Sequence, residues 1–164
     1  MSRPSLLRCE VNVAHDTYFA MLPSVERVLD IGIGGDPWPG ANYEYFKDVT
    51  YDTLDIDGKW RPTYVGDICA CDLPGASYDL VILSQTLEHI WDVRLALSGC
   101  LRLLRPGGHL AVDVPWIYPY HPEPGVDDYW RISASALTRL LTEAGFTIVT
   151  SQQGDHGTYA LARR

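Results

Sequence analysis

Three carboxylates each follow a short apolar run, and their spacing describes a candidate nucleoside pocket. The first opens the turn Asp30-Ile31-Gly32-Ile33-Gly34-Gly35-Asp36. Glycines without a Cβ let the backbone turn sharply and approach a ligand closely. A plain strand-to-helix turn has the same composition. The dinucleotide pattern G-x-G-x-x-G/A is not met, because Pro37 holds its last position, and the following Pro-Trp-Pro-Gly interrupts the helix that would cap a pyrophosphate. An acid just before the first glycine repels a diphosphate and favours a cationic or amine-bearing ligand. The second carboxylate, Asp55 in Leu54-Asp55-Ile56-Asp57, comes 25 residues after Asp30, a spacing at which an acid accepts both hydroxyls of a ribose. The third lies in Gly66-Asp67-Ile68, where an acid or a backbone amide meets the edge of an adenine. Each acid alone reads equally well as a solvated strand end. Three in succession make an acidic-rimmed pocket.

Groups able to move a proton follow later in the chain. Glu88 and His89 stand just after a fourth apolar run, and His121 lies in the proline-rich stretch YPYHPEPGVDDYWR. Histidine titrates near neutral pH and so suits proton abstraction, against the alternative of a tautomer-fixed hydrogen bond or loop packing. Asp127 and Asp128 are adjacent. With His121 they form a loose ligand set for a divalent metal, a weaker reading than a solvated turn or a helix cap, and no metal is expected. Tyr129, Trp130 and Arg131 offer an aromatic face for a sugar ring and a guanidinium for a carboxylate or phosphate. The competing reading packs Trp130 into the core and pairs Arg131 with Asp128. His15, His109 and His156 read as surface or strand positions.

The elements that must position these groups alternate. Residues 12–22 suit a short leading helix stopped by Pro23. Residues 26–31, 51–56, 63–66 and 78–84 read as strands, the last apolar throughout, as in a parallel strand covered on both faces. Leu95, Leu97, Leu101, Leu103 and Leu104 suit a helix ended by Pro106 and Gly107; 109–114 is a fifth strand. A helix starts at Ser133 or Ser135 and ends at Gly145, and residues 146–151 and 158–162 close the pattern as two strands joined by QGDHG. The expected fold is α/β, a doubly wound Rossmann-like sheet of six or seven strands with an antiparallel C-terminal hairpin. Ligands of such sheets bind outside the carboxyl ends of the strands.

Composition sets the outer limits. The 164 residues fit one domain, 46% are hydrophobic, and no apolar run approaches the roughly 18 residues of a membrane span. Thirteen Lys+Arg against 21 Asp+Glu give a net charge of −8 without a basic stripe, which argues against nucleic acid and for a small-molecule or neutral partner. Cys69 and Cys71 have no matching Cys/His pair, so four reduced thiols in a cytoplasmic protein are expected.

The set VLDIGIGG, LDID, GDI, SYDLVILSQTLEHI and LRLLRPGGHLAVDVP, in this order over residues 28–149, resembles the class I S-adenosylmethionine (SAM)-dependent methyltransferases, in particular the small type-11-like group. The segment from Pro115 to Phe146 resembles a subgroup with a DYWR stretch after strand five, often found beside sugar and glycan genes. The resemblance implies SAM as cofactor and S-adenosylhomocysteine (SAH) as product. It implies Asp30, Gly32 and Gly34 at the methionine end, Asp55 on the ribose, Ile56 on the adenine face, Asp67 and Ile68 at the adenine edge, and Ser84 and Gln85 beside the sulfonium. His121 and His89 are the candidate bases; Tyr129, Trp130 and Arg131 are the candidate acceptor contacts. The acceptor expected is an oxygen or nitrogen of a small molecule, such as a sugar or glycan unit.

The chain departs from that family in short early helices and in having only GKWR between Asp57 and Pro62. An N-terminal stretch of about 25 residues is short for a helical cap, so a homodimer or another partner is expected where a shallow site needs completing. Two other readings remain: a SAM-binding protein that does not methylate, and an NAD-linked oxidoreductase, which Pro37 and the lack of a Tyr-x-x-x-Lys pair oppose.

Overall fold

The computed structural model describes residues 3–34, 42–122 and 125–164, of which residues 3–6 are described as backbone only. Seven strands form one sheet: β1 (Arg27–Ile31), β2 (Thr50–Asp55), β3 (Tyr64–Val65), β4 (Tyr78–Ser84), β5 (Leu104–Pro115), β6 (Thr147–Gln153) and β7 (Gly157–Arg163). Their order is β3-β2-β1-β4-β5-β7-β6. The first five run parallel, and β7 enters antiparallel between β5 and β6. The fold is the expected α/β sheet with its C-terminal hairpin.

The sheet is buried on both faces because its central strands are apolar at every step, not at alternate ones. Along β4, Leu80 and Ile82 face one side and pack with Val28, Ala111 and Leu161. Val81 and Leu83 face the other, with Leu29, Ile31, Leu110 and Val112. Helix α1 (Arg3–Ala20) covers the first face. It presents Leu7, Val11, Ala14 and Tyr18, spaced by four, three and four residues, as one buried stripe. This helix is longer than the 12–22 expected, since the stripe begins a full turn earlier, at Leu7. Helices α3 (Val93–Leu103) and α4 (Ala134–Ala144) cover the second face through Ala96, Leu97, Cys100, Leu137 and Leu141. Asp92 caps α3, its carboxylate accepting from the Leu95 amide at 3.0 Å. Ser133, of the two candidates, caps α4, and Gly145 ends it at φ 103°.

Two local departures matter for the site. Helix α2 (Tyr43–Phe46) has four residues, and a 3₁₀ turn at Gly58–Trp60 is all that separates β2 from β3. Strand β5 starts at Leu104, ahead of the expected residue 109. The register jumps from Tyr78 opposite Leu104 to Leu80 opposite His109, so Arg105–Gly108 bulge without ending the strand.

Candidate active site

The strand order reverses at β1, whose neighbours β2 and β4 lead to crossovers in opposite directions, and a crevice opens at the carboxyl ends there. A cavity of about 500 Å³ occupies it, lined by residues that follow β1, β2, β3 and β4 and by part of the loop after β5. The volume lies within the range of small-molecule sites.

The glycine turn forms one wall. Gly32 has φ 77°, and its amide donates to the Leu54 carbonyl at 2.9 Å. A Cβ at Gly32 would lie 2.3 Å from Thr86 Oγ1. The single proton of that hydroxyl is shared between the carbonyls of Ile31 (3.0 Å) and Ser84 (2.9 Å), so β1 and β4 are stitched together where they diverge. Gly34 also lines the cavity, and a Cβ there would approach Trp60 Nε1 to 3.1 Å. Gly35, Asp36, Pro37 and the rest of residues 35–41 lie outside the described residues.

Asp55 ends β2 at the cavity wall, buried, with one carboxylate oxygen accepting from the Asp57 amide at 2.8 Å. Burial raises its pKa above the ordinary aspartate value, although the Asp57 and Gly34 amides oppose this. Ile56, 63% exposed, and buried Ile68 supply apolar surface. Asp67 lines the same space and accepts from the Cys69 amide at 2.9 Å. Among the described residues the lining carries five aspartates (Asp55, Asp57, Asp67, Asp92 and Asp127) and one lysine, Lys59, which pairs with Asp57 at 2.7 Å.

Three expected cofactor residues are placed differently from one another. Gln85 lines the cavity at φ 49° and donates from Nε2 to Asp113 Oδ1 at 2.6 Å. Ser84, the last residue of β4, does not line it. Asp30 does not line it among the described residues either. It is 4% exposed on the α1 side of the sheet and accepts from Asn42 Nδ2 at 3.0 Å and from the Tyr51 hydroxyl.

The histidines after β4 and β5 come together although 32 residues separate them in the chain. His89 lines the cavity; its ring centroid lies 5.0 Å from that of His121, which stands behind it. His89 Nδ1 is 2.7 Å from the Asp127 carbonyl, so that nitrogen carries the proton and donates. Next to them Glu88 is fully buried, and neither of its carboxylate oxygens has a hydrogen-bond partner among the described residues. Burial, with the Asp113 charge adding, pushes its pKa well above the usual carboxylate value.

The DYWR stretch divides into a rim and its support. Tyr129 lines the cavity. Trp130 packs partly buried against the core, donates from Nε1 to the Ile90 carbonyl at 3.0 Å, and stacks on Trp91 at 5.3 Å between centroids. Trp91, 68% exposed, and Tyr129 therefore form the aromatic edge. Arg131 holds the loop together: its fork donates to both oxygens of Asp128 at 2.5 and 2.8 Å, and it also reaches the carbonyls of Tyr118, Pro119 and Trp130. Asp128 is consequently not a solvated turn residue. Its carboxylate is 1% exposed, and the Arg131 hydrogen bonds hold its pKa down at about 2.

Sequence reasoning missed Thr86, Trp91 and Asp113. An acid inside the otherwise apolar run His109–Val114 was the available signal for Asp113. That aspartate is the hub between the cavity and α1: besides Gln85, it accepts from His15 Nε2 at 2.9 Å. His15 is thus a buried helix residue, not the surface or strand position expected, and is paired with an acid 98 residues away, while His156 pairs with Glu10 at 2.7 Å, 146 residues away. Burial opposes charge on His15, but the Asp113 hydrogen bond and the charges of Asp113 and Asp30 outweigh it and raise its pKa. A group whose folded pKa is raised stabilises fully below its unfolded pKa, near 6.5 here, and loses that contribution as pH rises through the folded value. The melting temperature of the wild type will therefore fall, relative to His15→Gln, as pH rises above 6.5. Parallel pH profiles of the two proteins would show that His15 does not contribute to the dependence.

Comparison with known proteins agrees with this geometry. A family model described as a methyltransferase domain matches residues 7–151. A probable SAM-dependent methyltransferase of Mycolicibacterium smegmatis is 34% identical over 96 residues, covering 56% of this chain and 37% of that protein. An O-methyltransferase of Pyrenophora dematioidea is 33% identical over 134 residues, 77% of this chain and 49% of its own. The chain thus spans half or less of the length of these curated relatives. Among solved structures, the 1,6-didemethyltoxoflavin-N1-methyltransferase of Burkholderia thailandensis, with SAH and 1,6-didemethyltoxoflavin bound, superposes with a TM-score of 0.73 at 22% identity, over 93% of this chain and 76% of that one. A SAM-dependent methyltransferase from Mesorhizobium loti gives 0.73 at 20% identity, over 92% and 98%. These two show the fold. The family match over most of the chain and the site at the β1/β4 crevice lead to one assignment: the chain belongs to the methyltransferase-domain family, with the sheet of the class I SAM-dependent enzymes.

Proposed function

We propose that this chain, as one methyltransferase domain, transfers a methyl group from SAM to an oxygen of a small-molecule acceptor. The observation that carries the reading is the cavity wall itself. Asp55 and Asp67 stand at the ends of two adjacent strands with Ile56 and Ile68 beside them, an arrangement of acceptors and apolar faces suited to a nucleoside. The acidic lining favours a sulfonium cation and disfavours a pyrophosphate, which separates SAM from a nicotinamide dinucleotide. When bound, SAM supplies an electrophilic methyl group. The chain's own residues then act by binding and orientation. Asp55 accepts from the ribose hydroxyls, Ile56 and Ile68 enclose the adenine, and the Gly32 backbone lies beside the methionine portion. Gln85, locked by Asp113, sets the end of the cavity nearest β4, and Trp91 with Tyr129 offers an aromatic face to a ring-shaped acceptor such as a sugar. His89, whose Nδ1 proton is committed to a carbonyl, presents Nε2 as the nitrogen available to take a proton from an acceptor hydroxyl. The O-methyltransferase relative supports oxygen over nitrogen as the acceptor atom.

Calorimetry tests the cofactor first. Wild type is expected to bind SAM and SAH but not NAD, and Asp55→Ala to lose about 10- to 100-fold in affinity, the value of charge-assisted hydrogen bonds to the ribose. Silence toward both adenosyl ligands overturns the reading. Transfer of a labelled methyl group from SAM to a panel of small hydroxylated acceptors then separates an enzyme from a binding protein.

A further inference from the structure

Glu88, His89 and His121 bring ligand atoms together beside the cavity. The two oxygens of Glu88 are fully buried, and no donor among the described residues reaches either. His89 donates from Nδ1 to the Asp127 carbonyl, which leaves a lone pair on Nε2 of the neutral ring, and that nitrogen lies 3.8 Å from Glu88 Oε1. His121 Nδ1 sits 3.0 Å from both the Pro119 carbonyl and Asp128 Oδ2, acceptors only, so in the neutral ring its lone pair is on Nε2 as well. One ligand atom from each of Glu88, His89 and His121 lies within 4.8 Å of the others. A proton on His89 Nε2 would give Glu88 a counter-charge at 3.8 Å but no hydrogen bond, and a protonated Glu88 would bury an O–H without an acceptor.

We infer that Glu88, His89 and His121 form a binding site for one divalent transition-metal ion. Two imidazoles and one carboxylate suit zinc, cobalt, manganese or iron, whereas magnesium and calcium favour all-oxygen sets. Bonds of roughly 2.0–2.2 Å place tetrahedral ligands about 3.4 Å apart. The cluster must therefore contract by a few tenths of an ångström between Glu88 and His89 and further at His121. His121 stands on the loop after β5 and is partly exposed, so the contraction falls on the part of the site able to move and the ion enters from its side. The outer contacts are in place: each imidazole's other nitrogen already donates to a backbone carbonyl, which fixes ring and tautomer as metal-bound histidines require. Asp113 and Asp128 lie close enough to Glu88 to add negative potential, against one Arg131 already forked on Asp128. Because His89 also lines the cavity, the ion would border the space where the acceptor enters; with it bound, His89 Nε2 is a ligand and no longer the proton acceptor, and metal binding itself does not depend on the methyl-transfer reading.

The test uses the full chain without an affinity tag, stripped with chelator and titrated with Zn²⁺ and, separately, Co²⁺. One equivalent is expected to bind, with the visible bands of a nitrogen- and oxygen-ligated cobalt ion. Glu88→Gln and His121→Ala should each weaken it by about 100-fold or more, since even outer contacts of such sites are worth 10–100-fold. His121→Ala, on the surface loop, keeps the test valid where the buried Glu88 variant does not fold. The inference is overturned by the absence of binding, by undiminished binding in His121→Ala, or by thiolate-to-cobalt charge transfer that places the ion on Cys69 and Cys71. SAH titrated into the metal-free wild type reads the cofactor pocket separately. Metal binding without SAH binding sustains this site and removes the methyl-transfer reading, whereas SAH binding without metal binding removes this site alone.

Discussion

Gly32→Ala will cost about 3 kcal/mol of folding stability and most of the SAM affinity, although the change adds a single methyl group. Two penalties combine. Alanine at φ 77° occupies the left-handed region at a cost of about 1–2 kcal/mol. Its Cβ also falls 2.3 Å from Thr86 Oγ1 and 2.4 Å from Cγ2, distances that no contact tolerates. Thr86 cannot simply retreat, because its hydroxyl is committed to the carbonyls of Ile31 and Ser84, and breaking buried bonds of that kind costs about 1–3 kcal/mol. The strain must go into the β1 turn or the start of the loop after β4, and both line the cavity. Pairing the change with Thr86→Ala isolates the steric part: removing Oγ1 and Cγ2 relieves the closest clashes, while the Thr86 Cβ, at 2.9 Å, remains. The double mutant should recover about 1 kcal/mol relative to the sum of the singles, as contacting residues commonly do. Strict additivity, measured by chemical denaturation and SAH titration, would show that the Thr86 contact does not carry the effect.

This pair also marks where the sequence was readable. Gly32 announces itself, since a glycine that closes an apolar run marks the point where a buried strand must turn. Thr86 does not, because its value lies in a contact across strands, 54 residues away. The same division runs through the molecule. The strands, their parallel order and the closing hairpin follow from unbroken apolar runs and the glycine and proline punctuation. Asp55 and Asp67 were legible because strand ends of such a sheet point at its crevice, Ile56, Ile68 and Gln85 through the family resemblance, and His89 and Tyr129 through their side-chain chemistry; all seven line the cavity. What the chain hides is which face a strand-end side chain takes and what meets it there. Asp30 turns to the α1 side and to Tyr51, and His15 on α1 finds Asp113 on β5, 98 residues away. Local spacing cannot report such pairings, because each is set by the packing of elements far apart in sequence.

Arg131 carries the largest expected effect in the loop after β5. Arg131→Ala removes both bonds to Asp128 and the contacts to three backbone carbonyls, leaving a carboxylate that is 1% exposed without its counter-charge. Breaking a buried pair from one side costs about 3–5 kcal/mol, and because Arg131 is partly exposed the lower end applies, a fall of roughly 6–12 °C in melting temperature for a chain of this size. Arg131→Lys keeps the charge but not the planar fork, and should recover less than half of the loss. Asp128→Asn in the Arg131→Ala background removes the stranded charge and should restore more stability than the lysine does. The consequence for the site is positional. Asp128 Oδ2 also accepts from the His121 amide at 2.9 Å, so releasing it frees the segment that carries His121 beside His89. Arg131→Ala should therefore lower turnover through the proton-handling end of the site while leaving SAH affinity near wild type, because Asp55 ends β2 and Asp67 follows β3, elements that Arg131 does not hold. An unchanged melting temperature would mean that Asp128 has found solvent and that the loop does not depend on the pair. A parallel loss of SAH binding would mean that the loop also shapes the cofactor wall.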